Sequence, residues 1–497
     1  MKAIRLSALA LIAAASTAHA QSSVVPLKVV DTAFMDTTVK ACTDFNRFAN
    51  GRWLAHDTIP AAYSSSGVAR DMTDRNELVV RSVLDDVMAK RASLPAGSTQ
   101  RKLGTFYATC MDSAAAERAG LTPVRPELAA ASAITSRAQL LAEITRLQST
   151  GHNVLFRFFP SVDQHDPAHY TAVLWQGGLV LPDRDYYTRE VVGPDFIRTN
   201  CVQHITRLLT LSGEPAASAK ADAQRVYDLE KQLALASLTR VAMRTPSAID
   251  HPITAQQLAT MAPHVNWTQY FHNAGVAHPI TKLNVAQPAF IARADSLLAT
   301  EPLESWKAYL RYHVLSSASP WLSTPFVKES FAFSSMFTGA KELLPRWKRC
   351  LRETDNQMGE ALGKAYVDKT FPPEAKARAK QVIDDIRTAF GKRLQRLTWM
   401  SDTTKARALE KLAKMHEKVG YPDTWRDYSK LDVRNESFVL NDIRADKFEW
   451  DRTINRPGEP VDTTEWDMTV PTVNAYYDPP KNEMVFPAGA LTPQTFD

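Results

Sequence analysis

The segment SRAQLLAEITRLQSTG, residues 136–151, shows most directly which secondary structure dominates this chain. Its apolar side chains recur at the spacing of one helix face, namely at Leu140, Leu141, Ile144 and Leu147. Ser136 is a suitable N-cap and Gly151 a suitable stop, so the segment predicts an amphipathic α-helix. The same pattern recurs in four further segments: 197–209 (followed by Gly213), 218–237, 304–316 and 374–395. The predicted fold is therefore mainly α.

The composition agrees with a folded, helix-rich protein. Of the 497 residues, 44% are hydrophobic and 23% are charged, which excludes disordered and fibrous classes. Only 18 residues are glycine, which argues against a turn-rich β architecture. At roughly 100–200 residues per domain, the length predicts two or more domains. The formal net charge is only +5 and basic runs are absent, so the sequence predicts no nucleic-acid partner.

The first 20 residues have the layout of a secretory signal peptide. A charged start with Lys2 and Arg5 precedes the apolar stretch 6–18, and Ala18-His19-Ala20 offers a small-x-small cleavage site. The apolar stretch is too short to span a bilayer, which needs roughly 20 residues, and no other segment is apolar enough. We therefore expect an exported protein, periplasmic or secreted, with no membrane contact after signal cleavage.

Export permits disulfides, and the chain has four cysteines, Cys42, Cys110, Cys201 and Cys350. Four cysteines allow three complete pairings, and buried free thiols are the alternative. Their wide separation excludes a small disulfide-stapled scaffold, and no Cys-x-x-Cys occurs.

The pattern changes near the C-terminus. Residues 470–477 and 483–487 are short β-branched and aromatic runs separated by the turn-like sequence DPPKN, so they predict a hairpin. A two-stranded hairpin is marginally stable alone, and Met484, Val485 and Phe486 would be exposed on it. We therefore expect residues from about 465 to 497 to be poorly stable.

No complete catalytic set emerges from the residues alone. Zinc hydrolases often use His-Glu-x-x-His, but the only His-Glu pair, His416-Glu417, has Gly420 in place of the second histidine. It is interpreted as a solvated helix end. His165 and His169 have i,i+4 spacing, but Pro167 between them disrupts the helix that would align them.

Six motifs in series carry more information. They are ACTDF (41–45) with NGRWL (50–54), GLVLPDRDYY (178–187), RWKRC (346–350) with GKAYV (363–367), VGYPD (419–423), VNAYY (473–477) and VFPAG (485–489). Together they resemble the neprilysin family of zinc metallopeptidases, which includes endothelin-converting enzymes and bacterial secreted oligopeptidases. The resemblance runs from about residue 30 to the end.

The resemblance implies a large helical cap domain followed by the first strands of a truncated thermolysin-like α+β catalytic domain. The implied division is a signal peptide (1–20), an N-terminal segment (21–44), a helical cap (45–430) and the start of the catalytic domain (431–497). Asn474 and Ala475 match the family's Asn-Ala pair, which binds substrate backbone. A carboxamide can both donate and accept hydrogen bonds, which suits a peptide unit. Ala490 and Thr495 are small or polar where the family builds part of the S1′ pocket.

The sequence also departs from the family. There, Phe-Pro-Ala-Gly precedes the helix with His-Glu-x-x-His, and the later zinc ligand is a glutamate; this sequence contains neither. The resemblance thus implies a zinc metalloendopeptidase that cleaves short peptides, with zinc in the complete family enzyme. This chain, without zinc ligands and general base, is expected to bind no zinc and to be inactive alone. The alternative is a non-enzymatic product, either a truncated remnant or a peptide-binding module.

The resemblance also implies how the cysteines pair. Cys110 and Cys350 resemble family positions that form a disulfide within the cap. Cys42 resembles a cysteine whose family partner lies later in the sequence, so we expect it to be unpaired here. Cys201 lies on an apolar helical face and is expected to be a buried thiol, with a Cys42–Cys201 bond as the alternative.

Overall fold

The computed structural model of the chain describes residues 31–188 and 194–491, and most of these lie in helices. The α-helices are α1 (Phe45–His56), α2 (Val68–Lys90), α3 (Thr99–Met111), α4 (Ser113–Ala119), α5 (Arg125–Ser132), α6 (Arg137–Gln148), α7 (Asp185–Thr188), α8 (Pro194–Leu211), α9 (Ala216–Ala236), α10 (Ala255–Met261), α11 (Trp267–Asn273), α12 (Pro288–Thr300), α13 (Leu303–Ala318), α14 (Thr324–Thr338), α15 (Arg346–Thr370), α16 (Pro373–Arg396), α17 (Asp402–Ala413) and α18 (Phe438–Thr453). The predicted mainly α fold is confirmed.

The helical segments predicted from periodicity are confirmed as α6, α8, α9, α13 and α16. The Ser136 hydroxyl accepts a hydrogen bond from the Gln139 backbone N–H at 3.2 Å, as an N-cap should. The helix ends at Gln148, and Gly151 just beyond it has φ +84°, a conformation that glycine adopts without strain.

The strands form two small sheets. The first contains β1 (Phe156–Val162), β2 (Tyr170–Gln176), β3 (Pro252–Thr254) and β4 (Lys282–Val285) in the order β1-β2-β4-β3. Strands β1 and β2 are antiparallel with Phe156 opposite Gln176, and β2 runs parallel to β4 with Ala172 opposite Leu283. Helices pack on one face of this sheet, in the largest hydrophobic core.

The second sheet contains β5 (His416–Gly420), β6 (Tyr476–Asp478) and β7 (Glu483–Pro487) in the order β5-β7-β6. The predicted hairpin is confirmed, because β6 and β7 are antiparallel. Its first strand is shorter than predicted, since only Tyr476–Asp478 is extended in the sheet. Strand β7 also pairs with β5 in parallel, so the hairpin is part of a three-stranded sheet.

Two sequence interpretations are corrected here. His416 and Glu417 lie in strand β5, and the Glu417 carboxylate pairs with Arg387 at 3.2 Å, so they do not form a solvated helix end. The expected exposure of the hairpin is also wrong: Val485 is buried, and its neighbours Met484 and Phe486 are half-buried and pack on α16. The reason is that β7 pairs with the distant strand β5 and packs on α16. Neither contact can be inferred from the sequence of the hairpin alone.

Two further cores hold the C-terminal part of the chain. Helices α2, α3 and α15 pack together with α18, and Val470 and Ala488 enter the same core. Helix α16 packs on β5 and β7 in a smaller core. Helix α18 also contributes Val439 to the largest core, so it joins the two main helical groups.

The cysteines agree with the family resemblance. A disulfide joins Cys110 of α3 to Cys350 of α15, with the Cα atoms 5.6 Å apart. Cys42 is free and exposed, and Cys201 is free and buried. The bond links helices separated by 240 residues.

The predicted signal peptide, residues 1–20, lies outside the described residues. Among the residues that are described, no helix combines the length and the apolar content needed to cross a bilayer.

We predict that replacing both Cys110 and Cys350 by serine lowers the free energy of unfolding by about 2–4 kcal/mol, because the crosslink restricts the unfolded chain. Urea denaturation under non-reducing conditions measures the change, and Cys42→Ser is the control because Cys42 is exposed and unpaired. An unfolding midpoint equal to that of the unsubstituted protein would contradict the prediction.

Candidate functional site

The candidate site is the outer edge of the second sheet. Strand β6 lies at the end of the order β5-β7-β6, so one row of its backbone groups has no strand partner among the described residues. Edge strands of this kind bind extended peptides by continuing the hydrogen-bond ladder. The geometry therefore provides a surface on which a peptide could add as a further strand.

Asn474 and Ala475 lie immediately before β6, and both are exposed. The Asn474 side-chain oxygen accepts a hydrogen bond from the Ala475 N–H at 2.8 Å. Its amide nitrogen has no protein acceptor among the described residues, so it is available to a ligand carbonyl. The structure therefore brings both predicted site residues to the start of the free edge.

A buried hydrogen-bond relay fixes the chain just before this pair. The Asn76 side chain on α2 donates to the Pro471 carbonyl at 2.6 Å. The Tyr366 hydroxyl on α15 donates to the Asn76 side-chain oxygen at 2.7 Å, and Asn76 is only 4% exposed. A buried carbonyl without such a donor would cost roughly 1–3 kcal/mol, so the relay strongly favours this backbone position.

Close packing restrains the same part of the chain, residues 469–471, which we call the docking segment. A Cβ added at Gly359 of α15 would lie 2.3 Å from the Thr469 side chain, and one at Gly363 would lie 2.9 Å from that of Val470. A Cβ at Gly489 would lie 2.2 Å from the Pro471 carbonyl oxygen. Glycine is thus the only residue that permits this approach at these positions without movement.

The relay and these glycines were not identified from the sequence. The available signal was two glycines four residues apart in a helix of a glycine-poor chain.

Asp355 adds a titratable group beside the docking segment. Its carboxylate accepts a hydrogen bond from the Thr469 hydroxyl at 2.8 Å, and its other oxygen is buried with no partner in the described part of the chain. Burial raises the pKa of Asp355 to about 7, against the opposing effect of the Thr469 hydrogen bond. Protonation near neutral pH therefore relieves the cost of this buried charge.

A chain of alternating charges connects α18 to the second sheet. Arg452 of α18 and Arg456, three residues beyond its end, both bind the Glu465 carboxylate. Lys418 of β5 donates to the Glu465 backbone carbonyl at 2.6 Å and pairs with Glu483 of β7 at 2.8 Å. Glu483 is only 1% exposed, so this pair is shielded from solvent. The network determines how the sheet sits against the helices.

Asp467, Asp478 and Glu483 are the one acidic or histidine group of metal-ligand dimensions among the described residues. The Lys481 ammonium lies 3.5, 3.3 and 3.7 Å from these three carboxylates in turn, and so occupies the position of a cation. Protein zinc sites use histidine or cysteine in most cases. The residues therefore do not fit the zinc that the family resemblance implies.

The two histidines with i,i+4 spacing do not converge either. His165 pairs with Asp250 at 2.9 Å, whereas His169 pairs with Asp166 at 2.7 Å. Both lie outside helices, as Pro167 predicted. Ala490 of the S1′ stretch follows β7 and is half-buried, and Thr495 lies outside the described residues.

Comparisons with known proteins show which family the chain belongs to. Residues 41–422 match Peptidase family M13. The chain belongs to this family of neprilysin-type zinc metallopeptidases. The family recognised from the six motifs is thus confirmed.

Individual relatives are similar over nearly the whole chain. Neprilysin-3 of Drosophila melanogaster is 29% identical over 494 residues, with 93% of this chain and 62% of the relative covered. Human endothelin-converting enzyme 1 is 28% identical over 478 residues, with 92% and 61% covered. The chain therefore spans about three fifths of the length of these curated relatives. The crystal structure of Mycobacterium tuberculosis zinc metalloprotease ZMP1 in complex with an inhibitor has a TM-score of 0.88 and 34% identity, covering 95% of this chain and 71% of that one.

The Glu465 network yields a pH-dependent prediction. Burial alone would raise the pKa of Glu465, but the hydrogen bonds and charges of Arg456 and Arg452 outweigh it and lower the pKa from 4.5 to about 2. Because the folded-state pKa is lowered, this stabilisation is full above pH 4.5 and is lost as the pH falls towards 2. We expect it to be about 2 kcal/mol after allowance for solvent screening.

The measurement compares urea denaturation of the unsubstituted protein and Glu465→Gln between pH 7 and pH 2.5. The variant should be less stable at pH 7, and the difference should shrink as the pH falls. Glu304→Gln is the control, because Glu304 is an exposed residue paired only with neighbouring Lys307. A difference that stays constant with pH would contradict the assignment.

Proposed function

We propose that this chain provides the substrate-binding part of a neprilysin-type zinc metalloendopeptidase, with short peptides as substrates of the complete enzyme. The observation that carries the proposal is the free edge of β6, which begins directly after the exposed Asn474-Ala475 pair. Membership of peptidase family M13 supports the reaction class.

In this proposal, the substrate backbone extends along β6 and pairs with the N–H and C=O groups that have no strand partner in the described part of the chain. The Asn474 amide donates to a substrate carbonyl, while its oxygen keeps the Ala475 N–H in place. The docking segment makes this geometry rigid before the peptide arrives, so less conformational entropy is lost on binding.

We also propose that the helices act as the cap that limits access to this edge. The boundary at residue 430 remains a prediction. Two contacts favour a modified division. Helix α18, which follows residue 430, packs with α3 and α15 of the proposed cap. Strand β5, which precedes residue 430, pairs with β7 of the proposed catalytic part. Export to the periplasm or beyond the cell stays part of the proposal and rests on residues 1–20.

Hydrolysis is a separate matter from binding. The 497-residue sequence contains no His-Glu-x-x-His, and the one acidic group of suitable dimensions in the described residues is already paired with the Lys481 ammonium. We therefore propose that this chain alone binds peptides without cleaving them, as a peptide-binding module or remnant would.

Peptide binding is tested with a fluorescently labelled extended peptide and fluorescence anisotropy. Asn474→Ala should weaken binding about tenfold, because roughly one hydrogen bond to the peptide backbone is lost. The unfolding midpoint should not change, since Asn474 is exposed. Asn356→Ala on the surface of α15 is the matched control. Equal affinity of the Asn474→Ala variant and the control would refute the role of Asn474.

Zinc binding and turnover are tested on the purified chain. Elemental analysis should find well below one zinc per chain, and a peptide hydrolysis assay should give no turnover that a chelator suppresses. Chelator-sensitive cleavage would show that the chain carries its own metal centre and would overturn this part of the proposal.

A further inference from the structure

A concave surface lies on the first sheet and is separate from the edge of β6. It is a cavity of about 830 Å³ lined by the end of α6, strands β1 and β2, residues 177–184 and 237–243, and Trp450 of α18. None of its lining residues belongs to β5, β6 or β7. Its volume falls within the range typical of ligand sites, roughly 300–1,000 Å³.

The alternation of side chains along β1 explains why this surface is open. Phe156 and Phe158 point to the buried face and contact the aromatic side chains of α11, with ring centroids 5.2 Å apart for Phe156 and Tyr270. Arg157 and Phe159 alternate with them and face the cavity. Gln148 of α6 and Trp450 of α18 border this side, and Arg157 is exposed there beside the Phe159 ring.

Aromatic rings form the floor of the cavity. Trp175 of β2 lies opposite Arg157 in the strand register, and its ring centroid is 6.5 Å from that of Phe159. The two rings also border a smaller cavity of about 120 Å³ on the same sheet, so both cavities share them. Rings arranged in this way can hold an aromatic side chain by edge or offset contacts.

The charge of the cavity is positive. The described lining residues include Arg157, Arg184, Arg240 and one carboxylate, that of Asp183, while the Asp185 carboxylate lies 4.0 Å from Arg184. Burial lowers the pKa of His152, which therefore adds no charge at neutral pH. The excess of cationic groups in a recess favours an anionic ligand.

The three arginines differ in their hydrogen bonds and ion pairs within the protein. Arg184 donates to the Ser237 carbonyl at 2.5 Å, but its Nε is buried and has no hydrogen-bond partner among the described residues. Arg240 is exposed and lies 3.7 Å from the Asp183 carboxylate. Within the described chain, Arg157 has no carboxylate within 4.0 Å and lies over the Phe159 ring at 5.3 Å. Within the described residues, Arg157 has no acidic partner, and the exposed Arg240 pairs with Asp183 only at 3.7 Å, so a ligand anion can reach both side chains.

We propose that this cavity is a second binding site, for an acidic peptide segment that carries an aromatic side chain. The ligand carboxylates pair with Arg157 and Arg240, and its aromatic ring packs against Trp175 and Phe159. Recognition here depends on side chains, so the site is independent of the proposed function of the β6 edge.

The test uses a fluorescein-labelled peptide, Glu-Glu-Phe-Glu-Glu, with binding measured by anisotropy in an Asn474→Ala background. That background removes the amide proposed to bind at the sheet edge, so failure at one site is distinguishable from failure at the other. Arg157→Gln combined with Arg240→Gln should weaken binding roughly tenfold or more, because two charge-assisted hydrogen bonds are lost. Arg407→Gln is the control, since Arg407 is an exposed arginine on α17.

Two changes of condition complete the test. Replacing the peptide's phenylalanine by glycine should weaken binding, and raising the salt concentration from 50 to 500 mM should do the same through screening. No detectable binding at millimolar peptide, equal affinity of the double variant and the control, or equal binding of Lys-Lys-Phe-Lys-Lys would each overturn the proposal.

Discussion

The close contact between helix α15 and the docking segment is the constraint on which the C-terminal part of the structure depends. The side chains of Thr469 and Val470 occupy the space that a Cβ would need at Gly359 and Gly363. Helix α15 also bends there, since Met358 has non-helical angles of φ −130° and ψ 35°. Because the Asn76 donor meets the Pro471 carbonyl in the same buried region, both packing and hydrogen bonding select one path for the chain.

The consequences of that path extend to the sheet. Three residues after Pro471 the chain reaches Asn474, and β6 begins two residues later. The antiparallel register of β6 on β7 and the parallel register of β7 on β5 follow from this starting point. A shift of one residue would move every side chain of β7 to the opposite face, and would place buried Glu483 and Val485 incorrectly.

Charge complementarity stabilises the same arrangement. Each buried or half-buried acid in the network meets a cation: Glu465 meets Arg452 and Arg456, and Glu483 meets Lys418. Removing one member would leave a poorly solvated charge, which is more costly than never having formed the pair. The two proposed peptide surfaces differ in physical character: the β6 edge presents backbone groups and tolerates many sequences, whereas the cavity on the first sheet presents cations and rings and so selects for them.

The sequence by itself determined the helical body, the hairpin and the family. The apolar spacing of α6, α8, α9, α13 and α16 is a local property, because each helix needs one continuous apolar face. The cysteine pair and the Asn474-Ala475 pair were identified through motifs. Only the tertiary structure decided that His416-Glu417 forms a strand, that the hairpin is covered, and that Asn76 contacts Pro471, 395 residues away. These features depend on contacts between distant residues, which periodicity within a short window does not encode.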